Sequence, residues 1–279
     1  MKNLTIIGAG KVGKVLGRCF QQHGVFNIAQ ILNRRPQSAL SACEFIGLNP
    51  VSALTDCRQL QIADVWMLAV SDDQIIPACK MLQVQGLLHA DSMVFHCSGS
   101  KASTELVEAI EAGAAVASLH PVASFADPQH VADNFAGTIC SIEGDQRALA
   151  VLLPALEAIG AQVVQISAET KLLYHAGSVF ASNYLVTLLD TALRAYEAAG
   201  IPPELALAMA APLARQSMEN VFAMGAAQAL TGPIARGDMQ TVARQHAVVA
   251  DWDVKAGELY QAFTPPTQAL AVRKNHSEK

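Results

Sequence analysis

The sequence predicts an α/β fold, a doubly wound and mostly parallel sheet followed by an all-α C-terminal region. Short β-branched runs alternate with helical or loop stretches up to about residue 166. After Ser167 the strand-like runs stop, and alanine- and leucine-rich segments of helical character fill the rest of the 279 residues. Alternation of the first kind builds parallel sheets through βαβ units, and the change of pattern marks a second region.

In order, the expected strands are Leu4–Ile7, Asn27–Leu32, Val65–Val70, Met93–Cys97, Ala115–Leu119, Thr138–Ile142 and Gln162–Ile166. The division expected from this is 1–166 for the sheet domain and 167–279 for the helical one. Breaks between the later helices are expected at Gly200-Ile201-Pro202-Pro203, Thr231-Gly232-Pro233 and Thr264-Pro265-Pro266. Pro212 is expected to kink or split its helix. The polar tail Arg273–Lys279 is expected to fray.

Composition excludes several classes. Apolar residues make up 52% and charged residues only 15%, against about 25% charged in an ordinary soluble protein. Disorder is therefore ruled out, and some surface is expected to be covered between subunits. A net charge of -5 argues against a nucleic-acid partner. The N-terminal apolar run Leu4-Thr5-Ile6-Ile7-Gly8 is too short for a signal peptide. The longest uncharged run, Leu172 to Leu189, contains His175, Ser178, Ser182 and Asn183, so no membrane partner is expected. Six cysteines (Cys19, Cys43, Cys57, Cys79, Cys97 and Cys140) show neither close pairs nor metal-ligand spacing. Free thiols, no metal and a cytoplasmic location are expected.

The strongest motif is Gly8-Ala9-Gly10-Lys11-Val12-Gly13, directly after a strand and leading into an amphipathic segment. In that context it is a dinucleotide fingerprint: one glycine for the turn, one for close approach of a pyrophosphate, one for helix–strand contact. The phosphates then meet the free N–H groups of a helix N-terminus. About twenty residues on, an NAD enzyme places an acid on the ribose, whereas here stand Asn33-Arg34-Arg35. Two guanidiniums suit a 2′-phosphate, so the cofactor expected is NADP. Ala69-Val70-Ser71 ends the next buried strand and is expected to face the cofactor. Asp72 and Asp73 either cap the following helix or take a direct part.

On these residues the chain resembles the NAD(P)-dependent dehydrogenases built like 6-phosphogluconate dehydrogenase, among them β-hydroxyacid dehydrogenases, pyrroline-5-carboxylate reductase and prephenate dehydrogenase. More closely, it is similar to a bacterial family of NADP oxidoreductases in which a Rossmann domain precedes a helical domain of unknown function. The closer resemblance rests on Ser118-Leu119-His120-Pro121, Lys171-Leu172-Leu173-Tyr174-His175-Ala176 and Leu230-Thr231-Gly232-Pro233-Ile234-Ala235-Arg236-Gly237-Asp238. It implies a homodimer formed through the helical domain, with the site near a subunit boundary.

Ser98 and Gly99 end a strand and are expected near the nicotinamide. Prephenate dehydrogenase is similar in its His-Pro, which implies that His120 touches the hydroxyl being oxidised. Val122-Ala123-Ser124-Phe125 lack the glycine usual there, a departure that separates this chain from prephenate as substrate. At about 100° per residue, Lys171, His175, Ser178 and Ser182 form a polar stripe opposite Leu173, Ala176, Phe180 and Tyr184. β-Hydroxyacid dehydrogenases are similar in having a lysine at the start of this helix and a polar partner, there asparagine, four residues on. That implies Lys171 as the proton-handling group and His175 as its partner. Ser178 and Ser182 are expected to touch substrate. Arg236 is available for a substrate carboxylate or for pairing across an interface, and Asp238 for an N-cap.

Two function classes stay open. One is an oxidoreductase moving hydride between NADP(H) and a small carbonyl, imine or hydroxy acid. The other is a non-catalytic NADP(H)-binding sensor or interaction protein. A proton-handling group at the nicotinamide separates them.

Overall fold

The computed structural model describes residues 1–277, which divide into two compact units, 1–182 and 183 onward. The elements of the first are β1 (Asn3–Ile7), α1 (Lys11–Gln22), β2 (Asn27–Leu32), α2 (Pro36–Ile46), β3 (Ala53–Leu54), β4 (Val65–Leu68) and α3 (Ile75–Val84). They continue with β5 (Met93–His96), α4 (Val107–Glu111), β6 (Ala115–Pro121), α5 (Pro128–Asp133), β7 (Ile139–Gly144), α6 (Gln146–Ala158), β8 (Gln162–Gln165) and α7 (Lys171–Val179). All seven expected strands are present. β3 is an addition, too short at two residues to leave a period in the sequence.

The strands form one sheet in the order β3-β2-β1-β4-β5-β6-β7-β8. Every neighbouring pair is parallel except β6 with β7. The first six strands have the doubly wound Rossmann order, whose direction of progression reverses between β1 and β4. Alternate residues feed two cores: Leu4, Ile6, Met67 and Phe95 join one, and Ile7, Trp66, Leu68 and Val94 the other. The buried runs follow from a parallel sheet covered on both faces.

The first unit extends past the expected boundary at 166 and takes in α7. Tyr174 on α7 meets His120 on β6, which ties the start of this helix to the strand ends.

The second unit contains α8 (Leu185–Ala198), α9 (Pro203–Met224), α10 (Ala226–Ala229), α11 (Met239–Trp252) and α12 (Val254–Ser277). Asp238 caps α11 by accepting from the Thr241 N–H at 3.1 Å. Arg194 on α8 donates to Asp253 at 2.8 Å and lies over the Trp252 ring. A cavity of about 510 Å³ is lined by apolar side chains including Leu188, Val249, Trp252 and Phe263.

Two expected splits of helices do not occur. Pro212 lies inside α9, and α12 runs through Pro265 and Pro266 into the tail expected to fray, whose last two residues lie outside the described residues. Proline withdraws the donor for the carbonyl four residues back. Here those carbonyls belong to the exposed residues Ala208, Gln261 and Ala262, within reach of solvent. The Thr264 and Thr267 hydroxyls also donate back to the Tyr260 and Phe263 carbonyls at 3.1 and 2.7 Å. The stretch Lys171–Ala198 is long and apolar enough, by length and composition, to cross a membrane.

Candidate functional site

Two polar clusters lie at the carboxyl ends of the strands of the first unit. The first surrounds the turn after β1. Gly8 has φ +83°, and an added Cβ would stand 3.1 Å from the Val70 Cα, so the turn requires glycine. A Cβ on Gly13 would lie 2.9 Å from that of Ala69, which brings α1 close against β4. At Gly10 the nearest atom to such a Cβ is 4.0 Å away. That glycine is demanded by no protein neighbour; it borders open space. Gly10 also sits at the N-cap of α1 with no side-chain cap, leaving helix N–H groups free.

The open space is a cleft of about 670 Å³, the size of a small-ligand site. Gly8, Ala9, Gly10, Asn33, Arg34, Arg35, Val70 and Ser71 line it, as do Ser38, Thr55 and Gln74. Of the expected cofactor residues, Lys11, Val12, Gly13 and Ala69 do not line it. Lys11 turns away and donates to the Ala126 carbonyl at 3.3 Å. Both arginine side chains are exposed and free of ion pairs and side-chain hydrogen bonds among the described residues. The Asp73 carboxyl is held below its ordinary value by Ser71 and Gln74, with a smaller contribution from Arg34. Exposed cations beside free helix N–H groups fit the phosphates of a dinucleotide. Ser38 and Thr55 were not anticipated. Ser38 stands three residues after Arg35 in the first turn of α2, a spacing that could have marked it.

The second cluster forms where β5, β6 and β7 meet α7. Gly99 lies in the loop after β5. A Cβ there would overlap the His175 ring at Nδ1 and come within 2.8 Å of His120 Nε2. The two imidazoles therefore converge on this glycine, with ring centres 5.4 Å apart. His120 Nδ1 bonds the Tyr174 hydroxyl at 3.0 Å, whereas His175 Nδ1 is buried without a partner among the described residues. Burial, then the fields of His175 and Lys171, push His120 down to about 4. His96 is likewise pushed down to about 4, chiefly by burial. Its Nε2 donates to the Ala102 carbonyl at 3.1 Å and its Nδ1 accepts from the Ser98 N–H at 3.2 Å, which fixes one neutral tautomer.

Lys171 is 0% exposed and its Nζ has no hydrogen-bond partner among the described residues. Glu143, at the end of β7, approaches to 3.9 Å through Oε1. Burial lowers the lysine below its ordinary value, opposed by Glu143, Asp72 and Cys97 in that order. Glu143 is itself buried and held by Ser103, whose N–H donates to Oε1 and whose hydroxyl donates to Oε2, both at 2.7 Å. Neither Glu143 nor Ser103 was anticipated; a carboxylate closing a run of buried strand residues was the available signal.

Other expected site residues lie elsewhere. The Ser98 oxygen accepts the N–H groups of Ser100 and Lys101 at 3.1 and 3.0 Å, so its work is to shape the loop. Asp72 does not cap a helix with its side chain but accepts from the Ser100 hydroxyl at 2.6 Å. Ser178 is half-buried on α7. Ser182 is exposed, in a π-helical turn spanning Phe180–Tyr184. The wider turn ends the 100° spacing that aligned Ser182 with Lys171. The face opposite the stripe is open rather than packed, with Leu173 78% and Phe180 65% exposed. Arg236 is exposed in the second unit, in the loop before α11.

Comparisons with known proteins agree with this fold. The family described as "NADP oxidoreductase coenzyme F420-dependent" matches residues 3–94, and the domain of unknown function DUF2520 matches residues 138–267. No curated protein matches the chain. Among solved structures, an assigned NADP oxidoreductase from Bacteroides fragilis is similar at 19% identity and TM-score 0.76, covering 96% of this chain and 98% of its own. Protein TM1727 from Thermotoga maritima is similar at 25% identity and TM-score 0.72, covering 98% and 99%. An imine reductase from Myxococcus stipitatus in complex with NADP+ is similar at 16% identity and TM-score 0.67, covering 98% and 95%. The fingerprint turn lies in the first match and the Lys171–His175 helix in the second, so the chain pairs a region of the NADP oxidoreductase family with a DUF2520 region.

Proposed function

We propose that this chain uses NADP(H) to move hydride to or from carbon in a small carbonyl, imine or hydroxy acid. The observation that carries the reading is the cleft at the sheet's switch point, where Gly10 borders open space and two unpaired arginines stand on the lip. The turn Gly8-Ala9-Gly10 would border the diphosphate, held by the free N–H groups of the first turn of α1, and Arg34, Arg35 and Ser38 would hold the 2′-phosphate. Bound NADPH supplies the hydride.

The protein's remaining task is the proton. His120, neutral at physiological pH, would take the proton of a substrate hydroxyl or amine at Nε2 beside Gly99 as hydride leaves carbon, and the imidazolium would return it in the reverse direction; Tyr174 fixes the ring through Nδ1. His175, whose ring packs on Gly99 beside His120, would shape the pocket around the substrate. Lys171, expected to meet substrate directly, is enclosed; it would act on the site through its charge. Residues 1–166 would bind the cofactor, and residues 167–279 would serve the substrate and the second copy.

A thermal-shift screen tests this: NADPH should raise the melting temperature more than NADH, and a metabolite stabilising only the NADPH complex would name the substrate class. No response to NADPH would overturn it. A response with no such metabolite would favour the sensor. A cytoplasmic homodimer fits the six free thiols and the bare apolar side chains of the helical region, Phe222 being 84% exposed. Light scattering on the full chain should give twice the monomer mass; a stable monomer rejects the dimer.

A further inference from the structure

We propose that Glu143, fixed by Ser103, is a positioning residue: it supplies the counter-charge that keeps Lys171 an ammonium inside the protein, and through Lys171 it keeps His120 unprotonated. The inference rests on the reading of the His120–His175 cluster as the reaction site.

The geometry is specific. A buried ammonium without compensation gives up its proton, and the first charge Lys171 meets is the Glu143 carboxylate at 3.9 Å. That carboxylate cannot swing toward the lysine to close a short ion pair. Both its oxygens are engaged by Ser103 at 2.7 Å, across 40 residues of sequence. The clamp thus leaves the attraction in place and keeps the lysine N–H groups unconsumed. A lysine and a glutamate engaged only for stability would be expected to close to hydrogen-bond distance.

The other groups around Lys171 do not replace Glu143. Cys97 is a thiol pushed up to about 12 and so is neutral. His96 and His120 are neutral, and the Asp72 carboxylate is exposed and bonded to Ser100. Around His120, Tyr174 is a neutral hydrogen-bond partner and Asp72 favours protonation, whereas His175 and Lys171 oppose it. Removing the Lys171 charge therefore has a definite sign at His120.

The full-length protein, labelled with ¹³C at lysine Cε and ¹⁵N in histidine, would be titrated by NMR, with Lys171→Met assigning the Lys171 signal. Glu143→Gln should lower the proton affinity of Lys171 at least ~10-fold, and Glu143→Asp, which retains the charge, by less. In Lys171→Met the His120 midpoint should rise above its native position near 4. An unchanged Lys171 titration in Glu143→Gln, or an unmoved His120 midpoint in Lys171→Met, overturns the proposal. Should Glu143→Gln fail to fold, the Glu143→Gln/Lys171→Met double variant decides. Recovery of a folded protein supports the counter-charge, and failure of both overturns it. These titrations need no substrate, so a wrong assignment of the reaction site would leave their outcome standing and show separately as unaltered turnover.

Discussion

Around Gly10 the charged side chains, Arg34 and Arg35, lie in solvent with no ion pair or side-chain hydrogen bond among the described residues, whereas around Gly99 the charges of Lys171 and Glu143 are buried and face each other. Both clusters sit at strand ends of one sheet, and the contrast shows how one scaffold treats charge in two ways. An exposed arginine loses little by waiting for an anion, because water solvates it. A buried lysine is costly to hold ionised unless its counter-charge is built in. The first arrangement suits reversible capture of a phosphorylated ligand. The second sets the protonation of neighbouring groups.

The sharpest way to break the comparison is to remove the buried cation. Once turnover is found, Lys171→Ala should reduce kcat by up to about 10²–10³, the order of a lost electrostatic contribution, while leaving NADPH affinity nearly intact. It should also destabilise the fold by about 3–5 kcal/mol, because Glu143 then stays buried and unpaired. Both are measurable, by steady-state kinetics and by chemical denaturation at low temperature. Unchanged rate would place Lys171 outside the mechanism.

The next test concerns acid. His96 and His120 both fall from the ordinary 6.5 to about 4 in the folded protein. Each is thus neutral when folded but takes a proton in the unfolded chain below about pH 6.5. Their contribution to stability is complete above that value and is lost as pH falls from about 6.5 to 4, at most a few kcal/mol for the more buried His96. Denaturation midpoints across this window should drop, and His96→Asn should flatten the slope. A flat profile in the wild type would show that these imidazoles are not held neutral.

The contrast also explains what the sequence disclosed. The cofactor turn was legible because it is local: Gly8, Gly10 and Gly13 lie within six residues directly after a strand, and Arg34-Arg35 end the next. The partners of the buried cluster are distant in sequence. Glu143 and Ser103 meet only because β7 runs beside β6 and the loop after β5 comes back to it. No periodicity records such a meeting. Lys171 and His175 were legible as a stripe over one helical turn. Ser182 was misplaced because the π-turn at 180–184 changes the angle per residue. The continuous α12 was missed because proline statistics ignore whether water can reach the freed carbonyls.

The smallest expected effect belongs to the exposed cluster, and it tests the other half of the comparison. Among the described residues Arg34 and Arg35 have no ion-pair or hydrogen-bond partner to leave stranded, so replacing both by alanine should not disturb folding. The loss should appear only with the phosphorylated cofactor. A charge-assisted pair is worth about 1.5–3 kcal/mol, which corresponds to roughly tenfold or more in affinity. NADPH binding should weaken by that factor in Arg34→Ala/Arg35→Ala while NADH binding stays within about twofold, as isothermal calorimetry would read. Salt should mimic the substitution, because exposed charges are screened over about 8–10 Å at physiological ionic strength. Adding 0.5 M salt, roughly, should therefore narrow the NADPH preference of the wild type and leave the double variant almost unaffected. Equal affinity of the unmodified protein for both cofactors would remove the 2′-phosphate from these arginines. It would leave the glycine turn as a diphosphate site without cofactor preference.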